Sequence, residues 1–153
     1  SGCVSSEFSR AVMQSAKTEE IEQQGMEIAG WFHKVFGDRY FIEVMNNGLD
    51  IQRMQLEGAM HIAKKMGLPV VATSDCHYVN QDDAEAQDIM LCINTRRFRT
   101  DTSRMKMEND QFFLRSPEQM YENFPGMEDI VARSQDIANT VDIQLELNKY
   151  YFP

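Results

Sequence analysis

Thr73-Ser74-Asp75-Cys76-His77-Tyr78 is the stretch of this 153-residue chain richest in side chains that do chemistry. In an extended backbone, side chains two positions apart point the same way. Asp75 and His77 are therefore expected to face one cavity, with Cys76 turned elsewhere. A carboxylate and an imidazole converging on one point suit Zn²⁺, Mn²⁺ or Fe²⁺. Spacing alone also describes a strand-end Asp capping backbone amides beside a hydrogen-bonded His, and favours that plainer reading. Cys3 is a third candidate. If a strand precedes it, its thiolate stands at the carboxyl end of a neighbouring strand and can join Asp75 and His77, although a small buried Cys is the commoner fate. Glu43 interrupts the apolar run Tyr40-Phe41-Ile42-Glu43-Val44-Met45, so it either lines the same cavity or lies on the exposed side of the pleat. Arg96, Arg97 and Arg99 open a basic stretch that runs to Lys106 and offers contacts to phosphate, in a composition that solvated loops also have.

The remaining reactive side chains read as structural. His33 and His61 fall inside expected helices with no partner at ligand spacing, and Cys92 sits in the apolar run Ile89-Met90-Leu91-Cys92-Ile93. A Cys-His nucleophilic pair lacks any recognisable nucleophile elbow around it.

The elements that must position these residues follow from periodicity. Ser5 and Ser6 can cap a short helix with Phe8, Ala11 and Val12 on one face. Thr18 before Glu19 and Glu20 starts a second helix, in which Ile21, Gly25, Ile28, Phe32 and Val35 keep a 3-4 spacing up to Gly37. A strand is expected over 40–45, a helix over 51–66 ended by Gly67-Leu68-Pro69, and a strand over 70–73 that is apolar throughout, as strands buried on both faces are. Strand, four-turn helix and buried strand make a crossover, so the sheet should be parallel and the fold α/β. Asp75 and His77 then lie just past a strand's carboxyl end, where parallel sheets place their sites. A helix follows over 81–93. Ser116-Pro117-Glu118-Gln119 is a capping box with Pro at the first helical position, and Pro125-Gly126 divides that helix from another carrying Ile130, Val131, Ile137, Ala138 and Val141. Val141, Ile143, Leu145 and Leu147 alternate, as an edge strand would.

Composition bounds the function. Fifteen Lys and Arg against 24 Asp and Glu give a net charge of -9, which argues against a dedicated nucleic-acid module and leaves a cation site open. Three cysteines at irregular spacing disfavour a disulfide framework and point to a reducing, cytoplasmic setting. No apolar run reaches the roughly 20 residues of a membrane span. A first residue that is Ser rather than Met suggests a piece of something longer.

In order and spacing, the chain resembles the carboxyl-terminal half of the PHP (polymerase and histidinol phosphatase) domain of the bacterial DNA polymerase III alpha subunit. Ser1-Gly2-Cys3-Val4 resembles that family's Ser-Gly-Cys-Leu segment, and Tyr40-Phe41-Ile42-Glu43 its Phe-Tyr-Ile-Glu strand. The run from Gly67 to Tyr78 resembles its most specific stretch, with Ser74 where Asn is usual. Asp88 to Thr95 is similar to the helix that follows, and Phe113 to Met120 to a Leu-Lys-Ser-Pro-Glu-Glu-Met segment. Phe152-Pro153 resembles the exit toward the polymerase core. Gln87 stands where the family often has His, and Arg96-Arg97 where Gly-Lys is common.

The resemblance implies a distorted seven-stranded β/α barrel, of which residues 1–95 would be the second half, with 96–153 a basic loop and helical segment leading to the polymerase core. It implies that Cys3, Asp75 and His77 are ligands of a divalent metal, Zn or Mn. The chemistry implied is phosphoester hydrolysis, including 3′-5′ exonuclease proofreading. DNA, a proofreading subunit and a sliding clamp would be partners of the full-length polymerase, in the cytoplasm and with no membrane role. The family's other ligands belong to its amino-terminal half, so the isolated piece is expected to be inactive. Two alternatives stand beside this: a structural or interaction module whose metal site has decayed, and a freestanding PHP-type phosphatase.

Overall fold

The computed structural model describes residues 1–15 and 19–150. The expected helix start at Thr18 and the closing Phe152-Pro153 lie outside the described residues. Helix α1 (Glu7–Ser15) begins at Ser6, whose hydroxyl accepts the Ser9 N–H at 3.1 Å and so satisfies one of the free donors of the first turn. Its Phe8, Ala11 and Val12 are buried, as their spacing predicts. Helix α2 (Glu19–Phe36) turns Gly25 and Ala29 inward with Ile28 and Phe32 beside them, while Val35 near its end stays 51% exposed.

Strand β1 (Ile42–Met45) buries Ile42 and Val44 and leaves Glu43 and Met45 half-buried. Helix α3 (Asp50–Met66) crosses back and stops at Gly67, whose φ of +67° is left-handed backbone that a side chain would strain. Strand β2 (Val70–Thr73) then pairs parallel to β1 in the register Ile42 with Val70 through Met45 with Thr73. Val70, Val71 and Ala72 are all buried, which is the environment their continuous apolar run predicted. The β-α-β crossover is thus as expected. Helices α1 and α3 cross so closely that a Cβ on Gly58 would lie 2.3 Å from the Val12 carbonyl oxygen.

Beyond β2, a 3-10 turn over Gln81–Asp83 leads into α4 (Ala84–Thr95), and the Asn80 N–H donates to the Asp83 carboxylate at 2.8 Å. The capping box at Ser116 forms as predicted, with the Ser116 N–H donating to Gln119 Oε1 at 2.8 Å and the Gln119 N–H to Ser116 Oγ at 3.3 Å. It opens α5 (Pro117–Asn123), and α6 (Glu128–Asn139) follows. Helix α6 packs against β2, so Phe124, Ile130 and Val131 join Phe8, Ile42, Val44, Ile62 and Val70 in one core.

The α/β class holds, with a two-stranded parallel sheet among the described residues. The edge strand expected over 141–147 does not form: Val141, Ile143, Leu145 and Leu147 are 60–79% exposed in irregular backbone. Alternation says which face of a strand would be covered, but a strand also needs a partner edge, and this segment finds none here. No described helix is long and apolar enough to cross a membrane.

Candidate functional site

Past Thr73 the chain runs on without helix, and residues 112–115 hold it. Tyr78 and Phe113 form a parallel bridge, the His77 N–H donates to the Phe112 carbonyl at 2.7 Å, and the Leu114 N–H donates to that of Tyr78 at 3.1 Å. Ser74 Oγ donates to the Phe113 carbonyl at 3.3 Å and accepts from Arg115 Nη1 at 3.2 Å. With the backbone fixed on both sides, side chains 75 and 77 project to one side, as alternation predicts.

Asp75 Oδ1 and His77 Nε2 lie 3.2 Å apart. Asp75 is the more sheltered, with 26% of its side chain exposed against 40% for His77. The His77 ring meets Phe112 edge-on, with centroids 5.6 Å apart. The other carboxylate oxygen of Asp75 is 3.5 Å from Gln52 Nε2. Gln52 is fully buried on α3 and locked by Asn47, accepting its N–H at 2.6 Å and donating to its Oδ1 at 3.1 Å. Asn47 in turn donates to the Gln111 carbonyl at 2.7 Å. Cys76 turns away as expected, its exposed thiol 3.3 Å from the Tyr78 carbonyl.

Glu43 is half-buried and reaches over the carboxyl end of the sheet. One oxygen accepts from Thr73 Oγ1 at 2.7 Å and the other from the Gly2 N–H at 3.1 Å. Its own N–H donates to Ser1 Oγ at 2.8 Å, and the Ser1 nitrogen donates to the Phe41 carbonyl at 2.9 Å. Residues 1 and 2 therefore lie against β1. Cys3 follows them, exposed, with its sulfur accepting from the Ser5 N–H at 3.5 Å. The structure brings Asp75 and His77 together. It does not gather Cys3 with them: among the described residues no three His, Cys, Asp or Glu side chains cluster as metal ligands would.

The basic stretch divides in two. Arg104 forks onto Asp88 at 2.5 and 2.9 Å, and Arg99 pairs with Glu85 at 2.8 Å and approaches Asp88 at 3.6 Å. The Arg104 hydrogen bonds hold the Asp88 carboxyl below its usual range and raise the guanidinium above its own. Arg96 and Arg97 are exposed, and neither side chain has a partner among the described residues. His33 is exposed, and Cys92 is buried as expected. His61 does have a partner, Glu22 at 3.3 Å, joined there by Lys65. The hydrogen bond from Lys65, more than the one from His61, lowers the Glu22 carboxyl. Spacing could not show this triad, because its members sit on α2 and α3.

Gln52, Gln55 and Asn47 are the residues that sequence reasoning missed. A signal was present: Gln52 and Gln55 occupy the helical positions that continue the stripe of Ala59, Ile62 and Ala63, so amides stand where carbon is due. Gln55 donates to the Glu43 carbonyl at 3.0 Å and to Ser9 Oγ at 3.4 Å.

The chain is 35% identical over 146 residues to the DNA polymerase III subunit alpha of Treponema pallidum, covering 95% of the chain. It is 37% identical over 112 residues to that of Borreliella burgdorferi and 32% over 121 residues to that of Campylobacter jejuni, covering 73% and 79% of the chain. Over most of its length the chain is similar to a segment of bacterial DNA polymerase III alpha subunits. It spans only 12%, 10% and 10% of the length of these three relatives, about one tenth of an alpha subunit. No family model matches it. Asp75, His77 and the basic stretch thus lie in a region that such subunits share.

Proposed function

We propose that this chain is the carboxyl-terminal half of a PHP-type barrel within a replicative DNA polymerase, and that Asp75 and His77, completed by Cys3 and by ligands outside these residues, hold a divalent metal there. The observation that carries this reading is the 3.2 Å approach of the Asp75 carboxylate and the His77 imidazole past the carboxyl end of β2. A carboxylate oxygen and a ring nitrogen suit Zn or Mn. Bound there, such a metal supplies Lewis-acid chemistry for hydrolysis of a phosphoester, as in 3′-5′ exonuclease action. This chain's own part is to orient donors. Gln52 holds Asp75 from behind, Phe112 and the bridge to residues 112–114 fix the His77 ring, and Glu43 ties the segment bearing Cys3 to the end of β2. DNA and the other replicase subunits meet this region as partners of the full-length polymerase, in the cytoplasm. Arg96 and Arg97, with unpaired guanidiniums, are the better phosphate contacts, whereas Arg99 is already engaged by Glu85.

Two donors side by side do not retain a metal, so the 153-residue chain alone is inactive in hydrolysis. Metal analysis of the full-length parent tests the reading. Bound Zn or Mn is expected in the wild type, with a loss in His77→Ala and Cys3→Ala. A metal-free parent, or full retention in both variants, would sink it in favour of a non-catalytic structural module.

A further inference from the structure

We propose that residues 141–147 are a β-strand waiting for its partner, and that the partner is a strand of the longer polypeptide outside these 153 residues. The inference rests on the homology to alpha subunits and is independent of the metal reading. Three observations meet in this segment.

The first is pattern. Val141, Ile143, Leu145 and Leu147 occupy alternate positions, with Asp142, Gln144 and Glu146 between them, so an extended backbone has one wholly aliphatic face and one polar, acidic face. The second is exposure. All four aliphatic side chains are 60–79% exposed, a concentration of apolar surface that nothing in the described chain covers. The third is the backbone. After the Val141 N–H, which donates to the Ala138 carbonyl at 3.1 Å, residues 142–145 make no backbone hydrogen bond among the described residues. A segment that lacks both ladder and cover, yet keeps strict period two, fits addition to a sheet edge, where main-chain bonds supply pairing and alternate side chains supply register.

On the β1 side, the chain's own sheet does not offer that edge. The outer side of β1 is taken by Ser1 and Gly2, through the bonds of Ser1 to Phe41 and Glu43. Beside β2, the Val70 carbonyl accepts from Arg133 at 2.7 Å, and residues 112–114 pair beyond it at Tyr78. Residues 141–147 pair with neither strand of this sheet, and the relatives carry roughly nine tenths of their length outside the matched region, from which a partner strand can come. The acidic face of the segment favours a partner sheet whose outer side is neutral or basic at that edge.

The test uses the full-length parent protein. Amide hydrogen exchange read by mass spectrometry should show 142–147 protected at least about 100-fold over unstructured-chain rates, and Ile143→Lys with Leu145→Lys should abolish that protection while Asp142→Asn with Gln144→Thr keeps it. Exchange at unstructured rates in the wild type would overturn the proposal. A photo-crosslinking residue placed at 143 should then link to a second segment of the same polypeptide. A link only to position 141–147 of another copy, or only to another subunit, would overturn the choice of partner, as would no link at all.

Discussion

Asp75 and His77 owe their meeting to the plainest rule available, the two-residue repeat of an extended backbone. What the rule omits is the support behind them. Gln52 is buried with every polar atom committed: its carbonyl to the Asn47 N–H, its amide to Asn47 Oδ1 and, at 3.5 Å, to Asp75. Gln52→Leu keeps the volume and strands the Asn47 groups in a buried setting, a loss of about 1–3 kcal/mol per group left unpaired. Denaturant melts of the variant should show a lowered midpoint with unchanged slope; an unchanged midpoint would mean that Gln52 is incidental. If the proposed metal centre is present in the parent, the same variant should also weaken metal binding about 10- to 100-fold, because a ligand's orientation depends on the group behind it. Tyr40 is the converse case. It stacks on Phe32 with its hydroxyl buried and unpartnered among the described residues, and burial pushes its ionisation up to about 12. The unfolded chain releases this proton near the ordinary value of about 10, so folding is penalised as pH rises from about 10 through 12. Tyr40→Phe should match or slightly exceed the wild type in stability at neutral pH, and should lose less stability above pH 10. Parallel alkaline melts check this, and a variant equally sensitive to alkali would contradict it.

At the scale of elements, the sequence made the crossover legible because its two strands differ in kind. Val70-Val71-Ala72 reads as covered on both sides, whereas Ile42-Glu43-Val44-Met45 alternates, and both environments are found. The capping box at Ser116 was legible for a local reason, since cap and partner lie three residues apart. The segment 141–147 misled for a non-local reason: propensity and alternation describe one strand, and a strand needs two. The Glu22–His61–Lys65 cluster was hidden likewise, because no sequence window contains both of its helices. Two variants probe these elements. Gly58 sits where a methyl group would press on the Val12 backbone, so Gly58→Ala should cost about 1–3 kcal/mol, as overpacking does, although alanine is the better helix former; a stabilised Gly58→Ala chain would mean that α1 moves away freely. Arg96 ends α4 with a left-handed φ of 54°, at the place where glycine is usual in helices. Arg96→Gly should therefore raise stability by about 1 kcal/mol, read as an upward shift in the thermal midpoint, while removing one of the two unpaired guanidiniums.

For the whole molecule, the balance between charge and apolar surface decides how the chain behaves in isolation. Trp31 and Phe36 on α2 and Met90 and Ile93 on α4 are exposed by 60%, 45%, 60% and 66%, and the aliphatic face of 141–147 adds to them. Single exposed apolar side chains need no explanation, but together these leave a large share of apolar surface uncovered among the described residues. A net charge of -9 opposes association of copies through those surfaces at low ionic strength, and added salt screens that repulsion. The isolated chain should consequently bind a hydrophobic dye such as ANS and self-associate increasingly as salt rises, in sedimentation measurements at fixed protein concentration. Less dye bound per unit mass by the full-length parent would show that further chain covers these faces there. The acid limb has its own sign. Arg104 holds Asp88 below the ordinary carboxyl value of about 4, so the pair's contribution is complete above that value and disappears as pH falls through the lower folded one. The stability gap between wild type and Arg104→Gln should accordingly be constant from about pH 5 to 8 and close only in stronger acid. A gap that widened on acidification would show that something other than this pair fastens the basic loop to α4.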